Sequence, residues 1–483
     1  MGCSKFACLT RYESQNNDLL LFPFQDESTP CYRIKDVPDQ FRKISPPEKE
    51  GASKTVFAGT INDSRIIAKA CRLDAKHTTP KEALKKAVSQ AISLKEDEGI
   101  ERIVVFLDTS DPDLIKAVQE GAMLGGYVFD KYLQEKKEPI PVAAVLPEKP
   151  SKELSAALEM EEEIFYWTNF ARDILNEPPN VINPESLADI FKAKGKEAGL
   201  KVTIWDAKKL EKEKCGGILS VGKGAEKLPR LVIGEYSPKK AKKHIAFVGK
   251  GITFDTGGYC LKPANSQIGM KYDMSGAAGM FAAACAIAKL GLPIKITLLA
   301  PLAENDISSK AYHTTDVIIT RSGKSVQVDN TDAEGRLILA DALTIAGEKK
   351  PDWIIDMATL TGACVVALGE DIAGLYSTNK ELTAMLLDAS KETGEIMWEL
   401  PLHMPYMEHI KTTIADCKNV GNRWGGSITA ALFLKQFVPE EIPWAHLDIA
   451  GPGVKEEPLG HLGKGAKGFG VKSLVNMAKI LSD

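Results

Sequence analysis

Apolar and polar positions alternate along the first part of the chain in a way that predicts a small α/β domain. Short apolar runs near residues 55 and 66 and at 102–108 predict strands, and 80–94 and 113–133 have the spacing of amphipathic helices. Residues 1–50 are weakly patterned, so we predict loop there. Together these elements predict an N-terminal α/β domain over 1–150.

A long amphipathic segment follows this domain. Residues 153–176 carry an apolar stripe at helical spacing, and the sequence NEPPN at 176–180 ends it. We therefore predict a connecting helix over 151–177.

The alternation resumes after this helix and continues to the C-terminus. Strands are predicted at 201–205, 230–235, 244–249, 295–301, 316–320, 353–357 and 444–449, with helices at 276–289, 334–347 and 428–437. Strands that alternate with helices predict a larger α/β domain over 178–483, whose mostly parallel central sheet is flanked by helices.

Composition and charge narrow the class of protein. The 483 residues are 44% hydrophobic and 26% charged, with a net charge of −4. This balance disfavours nucleic acid and anionic membrane surfaces as partners, and no apolar run approaches the roughly 18 residues of a membrane span. The nine cysteines include no Cys-x-x-Cys pair, which predicts reduced thiols in the cytoplasm.

Ionisable residues gather where predicted strands end, which is where open α/β sheets bind ligands. Lys250, Asp255 and Lys262 follow the strand at 244–249, and Asp273 precedes the next helix. Singly, an acidic residue before a helix is usually a cap that contributes about 1 kcal/mol. None of these positions therefore identifies a site by itself.

The segment NTDAEGRL at 330–337 adds Asp332, Glu334 and Arg336 at the start of another helix. Thr331 and Glu334 fit a capping box, in which both side chains bind amides of the helix start. However, carboxylates gathered in one cleft repel one another unless a cation neutralises them. We therefore predict a multivalent metal site, with Glu334 facing the ions and the helix capped by Thr331 or Asp332 alone.

Other chemistries have less support. The chain has no His-Glu-x-x-His, the motif of single-zinc proteases, and neither copy of VGKG, at 221–224 or 248–251, has the spacing of a phosphate-binding loop. Carboxylates with a lysine suit hard or borderline ions, which leaves zinc, manganese, magnesium and cobalt open.

The segment NTDAEGRL resembles the signature of the leucine aminopeptidase family, the two-metal, hexameric cytosolic aminopeptidases. Five further blocks resemble this family in the same order: NEPPN (176–180), VGKGITFDTGG with LKP (248–263), MKYDMSGAAG (270–279), DMATLTGA (356–363) and WAHLDIAG (444–451). The resemblance covers residues 170–483. It implies a cytoplasmic homohexameric metallo-aminopeptidase that removes leucine or other apolar residues from the N-terminus of peptides, with 178–483 as its catalytic domain and 1–150 in support of assembly.

The resemblance implies a role for each matching residue. Two divalent ions per subunit (Zn²⁺, Mn²⁺ or Mg²⁺) would be held by five side chains: Lys250, Asp255, Asp273, Asp332 and Glu334. Asp255 and Glu334 would bridge the ions, and a water between the ions would be the nucleophile. Lys262 would polarise the scissile carbonyl, and Arg336 would hold a bicarbonate that acts as general base. Six residues would line the pocket for the first side chain: Met270, Asn330, Ala333, Thr359, Gly362 and Ala450.

The sequence also departs from the family pattern. Residues 304–318 lack the usual Pro-Gly, and Tyr259 and Cys260 replace smaller residues. Two alternative functions stay open, a catalytically idle structural paralogue and an accessory nucleic-acid-binding protein. The complete set of ligands disfavours the first, and the net negative charge disfavours the second.

Overall fold

The computed structural model describes residues 4–24, 41, 45, 47–49, 52–61, 64–73, 78–94, 99–107, 109–455 and 457–482. Cys3 and Cys31, for which reduced thiols were predicted, lie outside these ranges. The chain forms two compact units, the first of residues 1–169 and 456–464 and the second of residues 170–455 and 465–483. The domain limits derived from the sequence remain a prediction.

The first unit is an α/β unit with a mostly parallel sheet. Its elements are β1 (Phe6–Leu9), β2 (Asp18–Phe24), β3 (Ser53–Ile61), β4 (Ser64–Arg72), α1 (Pro80–Ser93), β5 (Arg102–Phe106), α2 (Pro112–Met123) and β6 (Val142–Val145). The six described strands follow the order β1-β6-β5-β2-β4-β3, and β3 alone among them pairs in antiparallel fashion.

Two sequence predictions in this unit are wrong. Residues 1–50 were predicted as loop, yet β1 and β2 lie there. Strand β2 is buried along almost its whole length, so it lacks the alternation that identifies a half-exposed strand. Helix α2 ends ten residues before the predicted 133. Gly125 and Gly126 follow soon after its last residue, and glycine is a poor helix former.

The long helix α3 (Lys152–Asn176) agrees with the segment predicted at 153–176. The second unit then contains α4 (Pro184–Ala198), β7 (Lys201–Trp205), α5 (Ala207–Lys212), α6 (Gly216–Gly222), β8 (Arg230–Tyr236), β9 (Lys243–Gly249), β10 (Gly251–Asp255), α7 (Ala264–Gln267), α8 (Ser275–Lys289), β11 (Ile294–Asn305), β12 (Val317–Ile319) and β13 (Ser325–Gln327). It continues with α9 (Gly335–Glu348), β14 (Trp353–Ala358), α10 (Gly362–Leu368), β15 (Ala373–Ser377), α11 (Lys380–Thr393), β16 (Met397–Glu399), β17 (Cys417–Lys418), α12 (Gly426–Lys435), β18 (Trp444–Asp448), β19 (Val454–Lys455), β20 (Gly465–Ala466) and α13 (Val471–Ser482).

The central sheet of the second unit confirms the predicted fold class. Its described strands follow the order β16-β15-β18-β14-β9-β11-β8-β7, with β10 also paired to β11. The strands β18, β14, β9, β11 and β10 run parallel, and antiparallel pairs lie toward both edges. Parallel strands end at the same edge of a sheet, so the residues that follow β9, β14 and β18 converge.

Two buried helices, α8 and α9, pack on this sheet. Small residues allow α8 to lie close to it: a Cβ on Gly276 would collide with the carbonyl oxygen of Met357 in β14. The close packing holds the N-terminus of α8, and with it Asp273, against the ends of the strands. In the described part of the chain, the helices are too short or too polar to cross a membrane.

Candidate active site

Lys250 lies at the centre of a buried group of carboxylates. It follows β9 directly and is 3% exposed. Its Nζ lies 2.8 Å from Asp273 Oδ2 and 2.9 Å from Glu334 Oε1, and it donates a hydrogen bond of 2.9 Å to the carbonyl oxygen of Thr359. Burial opposes the charge on the ammonium, but the carboxylates of Asp273, Glu334 and Asp255 outweigh it and raise the pKa of Lys250. The local field therefore strongly favours positive charge.

A second lysine joins two further carboxylates. Lys262 Nζ lies 2.9 Å from Asp255 Oδ2 and also contacts Asp332 Oδ1. Asp255 is the last residue of β10, and its other oxygen accepts a hydrogen bond from the Gly257 amide at 2.9 Å. Burial, and then the neighbouring charge of Glu334, raises the pKa of Asp255 to about 6. Asp255 thus pairs directly with Lys262, and its charge also acts on Lys250.

The residues present fit a divalent cation. Ligand oxygens of Asp255, Asp273 and Glu334 lie within 4.8 Å of one another, and all three side chains are buried. Within the described residues, Glu334 Oε2 is buried and has no hydrogen-bond partner, which is costly for a carboxylate unless another group binds it. With Asp332, four carboxylates face two ammonium groups, so the formal charge is −2. Oxygen ligands in excess of positive charge are what hard and borderline divalent ions require.

The start of α9 shows that the acidic segment does not form a capping box. Glu334, the N-cap residue of α9, turns to Lys250, and its side chain makes no capping hydrogen bond. Thr331 Oγ1 instead donates to the Gly257 carbonyl at 2.7 Å and accepts from the Cys260 amide at 2.8 Å. Glu334 does not turn back to the start of its own helix, as predicted, while its role toward metal ions stays a prediction. The prediction that Thr331 or Asp332 would cap the helix is wrong. Their side chains bind the loop that follows β10.

Arg336 lies in the first turn of α9 and is 6% exposed. Its Nη1 donates to the carbonyl oxygen of Asn419 at 2.7 Å. Its Nε is buried and has no partner among the described residues. Burial lowers the pKa of Arg336 to about 10. A buried guanidinium with an unused donor suits a small anion.

Three of the predicted pocket residues lie against the carboxylate group. Thr359 follows β14, and its hydroxyl donates to Asp273 Oδ1 at 2.8 Å. Asn330 Oδ1 accepts from the Asp332 amide at 2.8 Å. Ala333, between two of the predicted ligands, is buried. These residues are therefore fixed next to the site.

The other three predicted pocket residues make weaker contacts with residues of the site, or none that the structure describes. The carbonyl oxygen of Met270 accepts a hydrogen bond of 3.4 Å from the Asp273 amide. Ala450 follows β18, and its amide donates to Asp448 Oδ1 at 3.2 Å. Gly362 is exposed, and a Cβ added there would have no atom within 4 Å in the described part of the molecule. Gly362 therefore borders open space.

Two buried residues organise the site and were missed from the sequence. Asn305, the last residue of β11, donates to Asp255 Oδ1 at 2.8 Å and to the Thr331 carbonyl at 3.0 Å. Asp448, the last residue of β18, accepts from the Thr361 hydroxyl at 2.7 Å. Both are polar residues at the carboxyl end of a strand. The same criterion, a polar residue where a strand ends, identified Lys250 from the sequence.

The unusual segment 304–318 is attached to the loop after β10. The ring of Tyr259 stacks on that of His313 with centroids 4.6 Å apart. The Tyr259 hydroxyl donates to the Ser308 carbonyl at 3.0 Å. The larger residue at 259 therefore packs against the segment that departs from the family pattern.

Comparison with known proteins identifies the class of protein. Residues 169–475 match the catalytic domain of the cytosol aminopeptidase family. A probable cytosol aminopeptidase of Streptomyces avermitilis is 45% identical over 407 residues, which are 83% of this chain and 79% of the relative. One of Aquifex aeolicus is 39% identical over 472 residues, covering 95% of this chain and 94% of the relative.

Solved structures agree with these relatives. A tomato leucine aminopeptidase mutant has a TM-score of 0.86 and 28% identity, covering 99% of this chain and 96% of its own. The bottromycin maturation enzyme BotP in complex with Mn has a TM-score of 0.84 and 30% identity, covering 97% of this chain and all of its own. The matches define a hydrolase of the exopeptidase class that binds divalent metal ions and acts on peptides. The chain belongs to the cytosol aminopeptidase family.

Proposed function

We propose that this chain is a cytoplasmic leucyl aminopeptidase that removes leucine and other apolar residues from the N-terminus of peptides. The observation that carries the proposal is the buried group in which Lys250 Nζ lies 2.8 Å from Asp273 Oδ2 and 2.9 Å from Glu334 Oε1. The names of the relatives, cytosol aminopeptidase and leucine aminopeptidase, support the location and the substrate preference.

Five side chains would hold two divalent ions: Lys250, Asp255, Asp273, Asp332 and Glu334. Lys250 would bind as the neutral amine, since an ammonium has no lone pair to donate, so the ion would replace the proton that the carboxylates stabilise. Asp255 and Glu334 would be the ligands common to both ions. The support is that both are buried in the same group of carboxylates as Asp273. When bound, the ions would activate a bridging water and polarise the scissile carbonyl. The manganese in BotP supports Mn²⁺ among the candidates, with Zn²⁺ and Mg²⁺ as the alternatives.

Lys262 would stabilise negative charge that develops on the carbonyl oxygen of the substrate. It lies between Asp255 and Asp332, and although burial lowers the pKa of the amine, these two carboxylates raise it above the ordinary value. The side chain therefore carries a full positive charge at neutral pH. A fixed cation at the site of developing charge is an effective catalytic group.

Arg336 would bind bicarbonate, which would accept the proton of the attacking water. The guanidinium is buried, is held from one side by the Asn419 carbonyl, and keeps Nε without a partner among the described residues. An anion there would satisfy the buried donor and gain a charge-assisted hydrogen bond.

Specificity for the first residue would come from two features of the site. The free α-amine of the substrate would bind at the carboxylate group. An internal peptide bond has no free amine, so it would lack this interaction. The first side chain would lie in a pocket formed by Met270, Asn330, Ala333, Thr359, Gly362 and Ala450. Gly362 faces open space, so this position has room for a substrate side chain.

The assembly belongs to the same proposal. We assign 1–150 to support of a homohexamer, 151–177 to the connecting helix and 178–483 to catalysis. Membrane and nucleic-acid partners are not part of the proposal, since the net charge is −4. Light scattering on the eluting protein would measure the number of subunits.

A turnover assay with metal analysis tests the function. The purified chain should cleave a leucyl chromogenic amide in Mn²⁺ or Zn²⁺, lose that activity after dialysis against a chelator, and regain it when metal returns. Asp255→Ala should lower both bound metal and rate. Activity that survives complete metal removal would overturn the mechanism, and a well-folded, metal-loaded chain without turnover would favour the idle paralogue.

A further inference from the structure

Asn419 is a buried residue that joins two parts of the site. It follows β17, and its amide donates to the Gln327 carbonyl at 3.0 Å, which extends the pairing of β13 with β17 by one residue. The residue is completely buried. Beyond Gln327 the opposite chain leaves the sheet and becomes the loop that carries Asn330 and Asp332. The backbone ladder therefore ends where this loop begins.

The side chain of Asn419 makes four hydrogen bonds to the backbone of the loop that follows Gln327, where the backbone pairing of the two strands has ended. Its Oδ1 accepts hydrogen bonds from the amides of Asp329 at 2.8 Å and Asn330 at 3.3 Å. Its Nδ2 donates to the carbonyl oxygens of Asn330 at 2.6 Å and Ala333 at 3.4 Å. One side chain thus fixes both ends of the turn that presents Asp332. Such buried bonds restrict a loop that would otherwise sample several conformations.

The main chain of Asn419 holds the other part of the site. Its carbonyl oxygen accepts the 2.7 Å hydrogen bond from Arg336 Nη1. The position of the guanidinium and the position of the turn around Asp332 therefore depend on the same residue. Residues that orient metal ligands without binding the metal themselves typically change metal affinity or activity by about 10- to 100-fold when they are replaced.

We propose that Asn419 is a positioning residue that sets the geometry of the Asp332 turn and of Arg336 together. Among the described residues, its hydrogen bonds go to backbone atoms and to the Arg336 guanidinium. Its effect on catalysis passes through Asp332 as a metal ligand and Arg336 as an anion site, so this inference rests on the proposed function of those two residues.

Asn419→Ala and Asn419→Asp separate the contributions of the side chain. Alanine removes all four hydrogen bonds, whereas aspartate keeps an acceptor for the amides of Asp329 and Asn330 but cannot donate to the carbonyl oxygens. We expect Asn419→Ala to weaken Mn²⁺ binding to the metal-free protein by about 10- to 100-fold, measured by calorimetry at constant temperature. Asn419→Asp places a carboxylate oxygen against the carbonyl oxygens of Asn330 and Ala333, so it should also weaken Mn²⁺ binding. In both variants kcat/KM with the leucyl substrate should fall together with the affinity.

The matched control is Asn183→Ala. Asn183 also accepts hydrogen bonds from two backbone amides, those of Glu185 and Ser186, at the N-terminus of α4. This variant should lower the melting temperature while Mn²⁺ affinity and kcat/KM stay unchanged. A purely structural role for Asn419 would give the same result in Asn419→Ala.

The inference is overturned if Asn419→Ala lowers the melting temperature and leaves Mn²⁺ affinity within about twofold of the wild type. Should that variant not fold, Asn419→Asp decides by the same criterion. The calorimetric measurement also separates this inference from the proposed function. A wild-type chain that binds Mn²⁺ without leucyl turnover would contradict the function, while the comparison of Mn²⁺ affinities would still test Asn419.

Discussion

Gly335 leaves the space that the side chain of Lys250 occupies. A Cβ added to Gly335 would lie 2.7 Å from both Cδ and Nζ of Lys250, closer than packed atoms approach. Gly335 is the first residue of α9 and follows Glu334, which binds the same lysine. The glycine in the acidic signature therefore leaves room for the side chain of a lysine 85 positions earlier, and a larger residue at 335 would displace it.

Gly335→Ala should disrupt the site more than the fold. Alanine favours a helix over glycine by about 1 kcal/mol, so α9 should form, but Lys250 must move away from Glu334 and Asp273. We expect Mn²⁺ affinity and kcat/KM to fall at least about 10-fold, the usual cost of disturbing the surroundings of a metal ligand. Calorimetry and a leucyl turnover assay measure the two effects. Gly463→Ala, where a Cβ meets no described atom, is the control, and a Gly335→Ala variant with normal metal binding would contradict the proposed ligand role of Lys250.

Lys262→Met should separate turnover from metal binding. The ammonium lies between Asp255 and Asp332. Its removal takes away the positive charge that neutralises these carboxylates, so they should attract a divalent cation at least as strongly. We expect kcat to fall by about 10²- to 10³-fold, as when one donor to a developing negative charge is lost, while Mn²⁺ affinity does not weaken. Lys209→Met, which breaks a 2.6 Å pair with Glu213, should change neither quantity. Loss of metal in Lys262→Met would show that Lys262 organises the ligands instead.

Arg336→Met should abolish the response to bicarbonate. The variant removes the buried guanidinium and its unused Nε donor and keeps a side chain of similar length. We expect the wild-type rate to rise as bicarbonate is added to carbonate-free buffer and the variant rate to stay constant. Arg230→Met, which breaks the 2.8 Å pair with Glu185, should respond like the wild type. An equal response in Arg336→Met would remove the support for an anion site there.

The charged part of the site could be predicted because each residue follows a regular element. Lys250 follows a strand whose apolar run is evident from the sequence, and Glu334 precedes a helix with clear periodicity. The carboxyl ends of parallel strands meet at one edge, so position along the chain implied proximity in space. The direction of Glu334 followed from electrostatics, since a buried carboxylate turns to positive charge before it caps a helix.

The partners of the supporting amides could not be predicted in this way. Asn305 lies at the end of a strand, where polar residues are expected, but its bonds to Asp255 and Thr331 join segments that are distant in sequence. Asn419 binds backbone atoms of another loop, and no spacing in the sequence indicates such partners. Strand β2 was missed for a different reason, because a strand buried on both faces has no alternation. The sequence pattern therefore identified the ionisable groups of the site. The residues that hold these groups in place became evident only from the contacts in the folded structure.

Glu304→Gln should make stability less dependent on pH. Burial, and then the charges of Asp306 and Glu226, raises the pKa of Glu304 from 4.5 to about 6 in the folded chain. The folded state thus binds this proton more tightly than the unfolded state. Its stabilising effect is complete below the unfolded pKa and is lost as pH rises through the folded pKa.

Between pH 4.5 and pH 7 the wild type should therefore lose up to about 1–2 kcal/mol through Glu304, a value that partial exposure reduces. Glutamine carries no charge to desolvate, so the melting temperature of Glu304→Gln should exceed that of the wild type at pH 8 and approach it at pH 4.5. Thermal unfolding of the metal-free proteins at both pH values measures the difference. Glu440→Gln, at an exposed position, provides the baseline, and an equal gain at both pH values would exclude titration of Glu304 as the cause.

Gly362→Leu should change which N-terminal residue is preferred. Gly362 is the first residue of α10, and a Cβ added there has no described atom within 4 Å. Leucine is also a better helix former than glycine. If this space receives the first side chain of the substrate, the added leucine fills part of it. We expect the ratio of kcat/KM for a leucyl amide to kcat/KM for an alanyl amide to fall by about 10-fold or more. A change of this size is usual when a pocket loses room for a few methylene groups. The ratio of the two rates in one enzyme preparation cancels losses of active protein, and an unchanged ratio would place the pocket for the first residue elsewhere.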